Sequence, residues 1–311
     1  MVMYRMPKRA LLIGCNYTAT PSIQLAGCIS DVINMRNTLI DAYGWKDSNI
    51  YTLRDDYSNR LPTKANIMYY LTQLVALSSA SDLLWIHYSG HGVQVKSLDS
   101  DESDKLDECI VPCNYTTSGV ITDNELYAVL KNAKCRVIML LDSCHSGTGC
   151  DLQYSINYNK GAMTKSMNNS KRIINTNIVM ISGCRDPQTS ADAYDNMAKQ
   201  NVGAFTQTLL ETLRANDHTI DLLSLYSKLC ANLHSYGFTQ IPVLSSSIPS
   251  PSFQFVRANA DGKSVLSNSL VSMSTATKDF ALSDTTVAKS LAESQATSVV
   301  RGLMSSLIGT R

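Results

Sequence analysis

The stretch that most constrains this chain is Val137-Ile138-Met139-Leu140-Leu141, which stops abruptly at Asp142-Ser143-Cys144-His145-Ser146-Gly147. An apolar run without alternation suits a strand covered on both faces, as in a parallel sheet packed between helices. In such sheets ligands sit beyond the carboxyl ends of the strands, and Cys144 lies just past that end. Most free cysteines only fill space. A second stretch of the same design changes the reading: Leu83-Leu84-Trp85-Ile86 runs into His87-Tyr88-Ser89-Gly90-His91-Gly92. A nucleophilic cysteine needs a base beside it, and the two need only be neighbours in space. Adjacent parallel strands ending in Cys144 and His91 meet that need.

The rest of the chain alternates in the same manner. Ala10–Gly14 predicts a buried first strand, and from Asp31 the residues Val32, Met35, Leu39 and Ile40 fall at helical spacing with Gly44 as a stop. Ile50–Leu53 predicts a second strand, and Pro62-Thr63 opens a helix carrying Ile67, Leu71, Leu74, Val75 and Leu77. This order points to an α/β fold with a mostly parallel central sheet and helices on both faces. Asp99–Glu108 is an acidic run expected to be a solvated loop. Cys109–Pro112 follows as a short strand, and Ile121–Leu126 starts a helix with an acidic first turn. Asp151–Thr176, polar and weakly patterned, is expected to be a long mobile loop. Strand character resumes at Ile178–Ser182. Helices near Ala204–Leu213 and Leu222–Leu233 and a strand at Gln254–Val256 complete the pattern.

Charge excludes two function classes. With 27 basic and 26 acidic side chains in 311 residues, net +1, there is neither a nucleic-acid footprint nor an electrostatic membrane anchor. No segment is apolar enough to span a bilayer. Nine cysteines, an odd number without a regular framework, and the absence of a secretory leader at the start point to free thiols in a reducing, cytoplasmic setting. A monomer is expected.

His87-Tyr88-Ser89-Gly90-His91-Gly92, Asp142-Ser143-Cys144-His145-Ser146-Gly147, Leu25-Ala26-Gly27-Cys28-Ile29-Ser30-Asp31 and Ser182-Gly183-Cys184-Arg185-Asp186 with Gln188-Thr189-Ser190-Ala191-Asp192 together resemble a metacaspase. The resemblance runs from about Arg9 to Val256 and is to the compact, type I-like members, without a Pro-rich prodomain. It implies a caspase-like peptidase domain over 1–257, with a large-subunit part at about 1–150, a processing loop at about 151–176 and a small-subunit part at about 177–257. The tail, 258–311, is expected to be disordered or a lone helix. The resemblance also implies a calcium-activated, self-processing cysteine endopeptidase that acts on proteins or peptides and cuts after Arg or Lys.

Carried over residue by residue, the resemblance makes Cys144 the nucleophile and His91 its base. His87 and His145 compete for the second role. His87 sits inside its strand, whereas His145 follows the nucleophile and would point away from it, so the glycine-flanked His91 is preferred. Gly92 and Cys144 would supply the backbone N–H groups of an oxyanion hole. A pocket for Arg or Lys needs a carboxylate, and the resemblance maps it onto Cys28, Asp31, Ser89 and Asp142; the plainer alternative is that Asp31 caps a helix and Asp142 orders the turn. By the same match, Asp107, Asp123, Asn124 and Asp151 would hold calcium, with Asn124 where the family usually has a second Asp. Cys109 and Cys113 have a loosely zinc-like spacing but no matching His/Cys pair. Lys160, Lys165, Lys171 and Arg172 in the 151–176 segment are the self-cleavage candidates. Two other readings stay open: a non-proteolytic scaffold or aggregate-binding module of the same fold, and a related cysteine hydrolase with another specificity.

Overall fold

The computed structural model describes residues 7–96, 106–143, 152–159, 161–168, 176–183, 192–195, 200–238 and 240–258. The first half alternates as the apolar pattern predicts: β1 (Lys8–Gly14), α1 (Cys28–Asp41), β2 (Ile50–Arg54), α2 (Lys64–Ala76) and β3 (Leu83–Ser89). A small sheet follows, made of β4 (Gly92–Lys96), β5 (Leu106–Ile110) and β6 (Ile121–Thr122), with the one-turn α3 (Tyr115–Ser118) before β6; then come α4 (Asp123–Leu130) and β7 (Arg136–Asp142). The remainder contributes β8 (Tyr154–Asn159), β9 (Ala162–Met167), β10 (Ile178–Ser182), β11 (Asp192–Asp195), β12 (Gln200–Gly203), α5 (Ala204–Ala215), β13 (Ile220–Asp221), α6 (Leu222–Ser235), β14 (Val243–Ser246) and β15 (Gln254–Phe255).

Among the described residues the main sheet has eight strands in the order β2-β1-β3-β7-β10-β14-β8-β9. The first five run parallel, and β14, β8 and β9 join antiparallel. The four inner parallel strands, β1, β3, β7 and β10, are buried on both faces, which explains their unbroken apolar runs, whereas edge strand β2 buries only Ile50 and Leu53. Alternate residues feed two cores. Leu12, Trp85, Ile138, Leu140 and Ile181 pack under α1, α5 and α6, while Leu11, Ile86, Met139, Leu141 and Met180 pack under α2 and α4.

Local chemistry sets the helix starts. Thr63 caps α2 by accepting the N–H of Asn66, and Thr122 with Glu125 forms a capping box on α4. Helix α1 begins one turn earlier than the apolar spacing suggests, at Cys28, whose N–H donates to the Asn16 side chain at 3.0 Å, and it packs so close to the end of β1 that a Cβ on Gly14 would lie 2.8 Å from the carbonyl oxygen of Cys28.

Two expectations are corrected. Residues 154–159 and 162–167 are not a loop: β8 and β9 pair antiparallel on the edge of the main sheet, because β8 pairs with β14 while sending Ile156 into the core. The acidic run does not stay in solvent throughout. Asp107 and Glu108 are buried in β5; the Nδ2 of Asn124 at the start of α4 donates to Asp107, while the main-chain N–H of Glu108 donates to the carboxylate of Asp123. The tail 259–311 lies outside the described residues.

Candidate active site

Strands β3 and β7 are hydrogen-bonded neighbours, and their last residues, Ser89 and Asp142, stand opposite each other. His91 and Cys144 each follow that pair by two residues. Cys144 itself, with His145 and Asp151, lies outside the described residues.

His91 is held at three points. Its Nε2–H donates to the carbonyl of Ile23 at 2.7 Å, since a carbonyl can only accept. That fixes the tautomer in which Nδ1 carries the lone pair. Its main chain is clamped by two buried tyrosines: the Tyr17 hydroxyl accepts the His91 N–H at 2.9 Å, and the Tyr88 hydroxyl donates to the His91 carbonyl at 2.6 Å. The Tyr17 ring also lies against the imidazole, with centroids 4.8 Å apart. Burial raises both phenols well above their usual range, so both keep their protons. Gly90 is required between them, because a Cβ there would come within 2.6 Å of the Tyr88 oxygen. Tyr17 adopts a left-handed backbone, φ 54°, held by Asp55, which accepts its N–H at 2.5 Å; such strain gathers where structure over-determines a functional residue. Ile23, Tyr17 and Tyr88 carry no signal of these roles in the sequence.

His87 is fully buried, and burial lowers its pKa to about 3, so it is neutral and packed as its place inside the strand implies. Its Nε2 lies 3.2 Å from the Thr206 hydroxyl. Gly92 opens β4 directly after His91, opposite Ile110.

The structure brings Asp31, Ser89 and Asp142 together. Asp31 accepts from the Ser89 hydroxyl at 2.5 Å and from the Gly203 N–H at 2.8 Å. Asp142 accepts from the N–H and the hydroxyl of Thr206 at 2.9 and 2.7 Å. Both acids therefore face the start of α5, where unpaired N–H groups favour negative charge. Gly203 passes so close that a Cβ would lie 2.8 Å from Asp31 and closer still to Asp142. Cys28 is buried one turn before Asp31, its N–H donating to Asn16 at 3.0 Å. Gly203 and Thr206 were not among the residues the sequence singled out, because their part depends on a contact across more than 60 positions.

Asp107 and Asp123, both buried, and Asn124 meet where β5 approaches α4. Burial, then Asp123, Asp107, Glu125 and Glu108, push the neighbouring Cys109 thiol far up, which marks the spot as strongly negative. These hard oxygen donors fit the chemistry of calcium. Among the described residues no three His, Cys, Asp or Glu side chains are placed together to hold a metal, so a full shell needs further oxygens such as those of Asp151. Cys109 and Cys113 are free thiols, as are Cys15, Cys28, Cys135 and Cys230. Of the self-cleavage candidates only Lys165 is described: it lies within β9, paired with Ile156, and its Nζ donates to the carbonyl of Pro249 at 2.8 Å. Lys160, Lys171 and Arg172 lie outside the described residues.

Residues 8–153 match the family model described as "Metacaspase, peptidase C14 domain". The chain is 35% identical over 290 residues to Metacaspase-1 of Kluyveromyces lactis, covering 77% of this chain and 66% of that protein. It is 34% identical to Metacaspase-1B of Neosartorya fischeri, covering 78% and 69%. The chain thus spans about two thirds of the length of these curated relatives. Among solved structures, a protein from Geobacter sulfurreducens superposes with a TM-score of 0.56 at 22% identity, over 78% of this chain and 94% of that one.

Proposed function

The chain belongs to the metacaspase family of cysteine peptidases, and from that premise we propose that it is an endopeptidase that cuts after Arg or Lys, with His91 and Cys144 as its dyad. The observation that carries the dyad is the shared register: Ser89 faces Asp142 across two parallel strands, and each candidate follows by two residues. His91 Nδ1 takes the Cys144 thiol proton, and the thiolate attacks the carbonyl carbon of the scissile bond. Backbone N–H groups of Gly92 and Cys144 hold the oxyanion. Collapse breaks the C–N bond, and His91 returns the proton to the departing amine. Water, deprotonated by the same imidazole, then releases the acid and regenerates the thiol. The Ile23 carbonyl supports this by holding the imidazole in the tautomer the cycle needs.

Preference for a basic residue rests on Asp31 and Asp142, two buried carboxylates at the same sheet end; a guanidinium there would share their oxygens with Ser89, Gly203 and Thr206. Calcium held by Asp107, Asp123, Asn124 and Asp151 would neutralise these acids and tie the segment after Cys144 to the start of α4. A reducing cytoplasmic location accords with the free thiols of the described residues.

Fluorogenic peptides ending in Arg, Lys, Asp or Asn, assayed with and without calcium, test the reading. Cleavage confined to Arg and Lys, and lost in Cys144→Ala and His91→Ala at unchanged thermal stability, is expected. Cleavage after Asp or Asn indicates a related hydrolase of other specificity, and no cleavage of any peptide by the wild type indicates a scaffold.

A further inference from the structure

Two of the bonds that hold His91 come from a single loop. Tyr17, whose hydroxyl accepts the His91 N–H, and Ile23, whose carbonyl takes its Nε2–H, both lie between β1 and α1. The main chain of that loop is closed on itself: the Thr20 N–H donates to Tyr17, the Ile23 N–H to Thr20, and the Leu25 N–H back to Asn16. Asn16 fastens the far end, its side chain accepting the Cys28 N–H and donating to the Ala26 carbonyl. A shift at Asn16 and Tyr17 therefore carries Ile23 with it.

What fixes Asn16 and Tyr17 is a carboxylate from beyond another strand. Gly14, the last residue of β1, stands opposite Arg54, the last of β2, and Asp55 follows directly. One oxygen of Asp55 accepts the Asn16 N–H at 2.9 Å, and the other accepts the Tyr17 N–H at 2.5 Å. Arg54 turns its guanidinium to Asp56 instead, at 2.9 and 2.5 Å, and among the described residues no cation pairs with Asp55. Successive N–H groups converge on an anion where the chain turns through a left-handed residue, and Tyr17, φ 54°, is that residue. A carboxylate has acceptors for both donors; a primary amide has one oxygen and would turn its own N–H groups toward the second.

We propose that Asp55 is a positioning residue for peptide cleavage: by gathering the N–H groups of Asn16 and Tyr17, it holds the Tyr17 hydroxyl and the Ile23 carbonyl where they orient His91 and keep its Nδ1 as the base. This rests on the reading of His91 as the base given above. Asp55 makes no bond to His91 itself, so its effect passes through the loop. The tautomer of an imidazole follows the bond made by its other nitrogen, and displacing a reacting group by about 1 Å can cost roughly 10²-fold in rate.

Asp55→Asn keeps the shape of the side chain but leaves one acceptor for two donors. With an Arg peptide it should lower kcat by roughly tenfold or more while KM stays within about twofold, the pattern of a group that acts on the reaction and not on substrate binding. Two controls separate this from lost charge and lost stability. Asp56→Asn removes the adjacent charge, and Asp82→Asn removes a carboxylate that binds Arg9 and Ser79 near the other end of the sheet; both should keep kcat within about twofold of wild type. A second readout needs no turnover. In protein labelled with 15N-histidine, with His91 assigned by the signals missing from His91→Gln, the ring nitrogens of neutral wild-type His91 should show the wide split of an Nε2–H tautomer. In Asp55→Asn that split should shrink by about half or more as the tautomers mix. Asp55→Ser, with a single oxygen on a shorter side chain, takes its place if Asp55→Asn does not fold. Wild-type kcat in the variant, a loss matched by Asp82→Asn, a raised KM at unchanged kcat, or an unchanged nitrogen split overturns the proposal. If the wild type cleaves no peptide, the peptidase reading fails, and the nitrogen split alone supports or overturns the role of Asp55.

Discussion

Asp142, the last residue of β7, accepts both the main-chain N–H and the hydroxyl of Thr206, at 2.9 and 2.7 Å, so a carboxylate at the carboxyl end of the parallel strands caps a helix 64 residues further along the chain. The Thr206 hydroxyl, spending its proton on Asp142, can accept from His87. One side chain thus ties β7, β3 and the first turn of α5 together.

Thr206→Val should therefore cost on the order of 1–3 kcal/mol, the range for stranding a buried polar partner, and lower the unfolding temperature by several degrees. Thr206→Ser should restore most of the stability. If Val and Ser unfold alike, the hydroxyl is not what matters. Cleavage of Arg peptides should fall with Val and recover with Ser, because Val removes one of the two bonds from residue 206 that position Asp142.

Buried His87 makes stability depend on pH. Its folded pKa, about 3, lies below the usual 6.5, so the unfolded chain binds the extra proton and stability falls as pH drops between those values. The contribution is fully present above about 6.5. Denaturant unfolding from pH 7 to pH 4 should show a wild-type loss steeper than that of His87→Gln, by up to about 1.4 kcal/mol per pH unit. Parallel curves for the two proteins would mean that His87 does not titrate in this range.

Asn124 donates to the buried Asp107. Asn124→Asp replaces that donor by a like charge, so without calcium the variant should melt several degrees lower. If these residues hold calcium as proposed, the variant should gain more stability than wild type on adding it and bind more tightly by calorimetry, the affinity expected of the native residues being submillimolar to millimolar. Identical melting shifts on adding calcium would argue against these residues as ligands.

Self-processing should avoid Lys165. A peptidase reads an extended, unpaired segment, and Lys165 lies in a strand paired along its length with β8. Cutting after Lys171 or Arg172 requires no opening of that hairpin. Intact-mass analysis after incubation with calcium should locate fragments ending there, and none in Cys144→Ala. A dominant cut at Lys165, or fragments equally abundant in the mutant, would overturn this order of preference.

How far the sequence carries depends on the kind of contact. The parallel strands were legible because burial on both faces demands unbroken apolar runs, as at Leu11–Ile13 and Val137–Leu141. Strand β14 was not: it offers two apolar residues, then Ser245 and Ser246, which are fully buried by pairing with β10 and β8. Edge strand β9, mostly exposed, needs no apolar pattern at all. The hairpin was read as a loop for that reason.

At the site, the sequence by itself determined that a histidine and a cysteine would follow adjacent strands, and that Asp31, Ser89 and Asp142 would belong to the same end of the sheet. Local glycine punctuation and strand period are properties of neighbouring residues, so they can be read along the chain. Only the tertiary structure decided that the Ile23 carbonyl sets the tautomer of His91, that Tyr17 and Tyr88 clamp its main chain, and that Gly203 and Thr206 occupy the oxygens of the two acids. Those bonds join positions 3 to 172 residues apart, and several use main-chain groups that every residue carries. A backbone carbonyl or N–H leaves no mark in composition; its role exists only once the fold has brought it within about 3 Å of a partner.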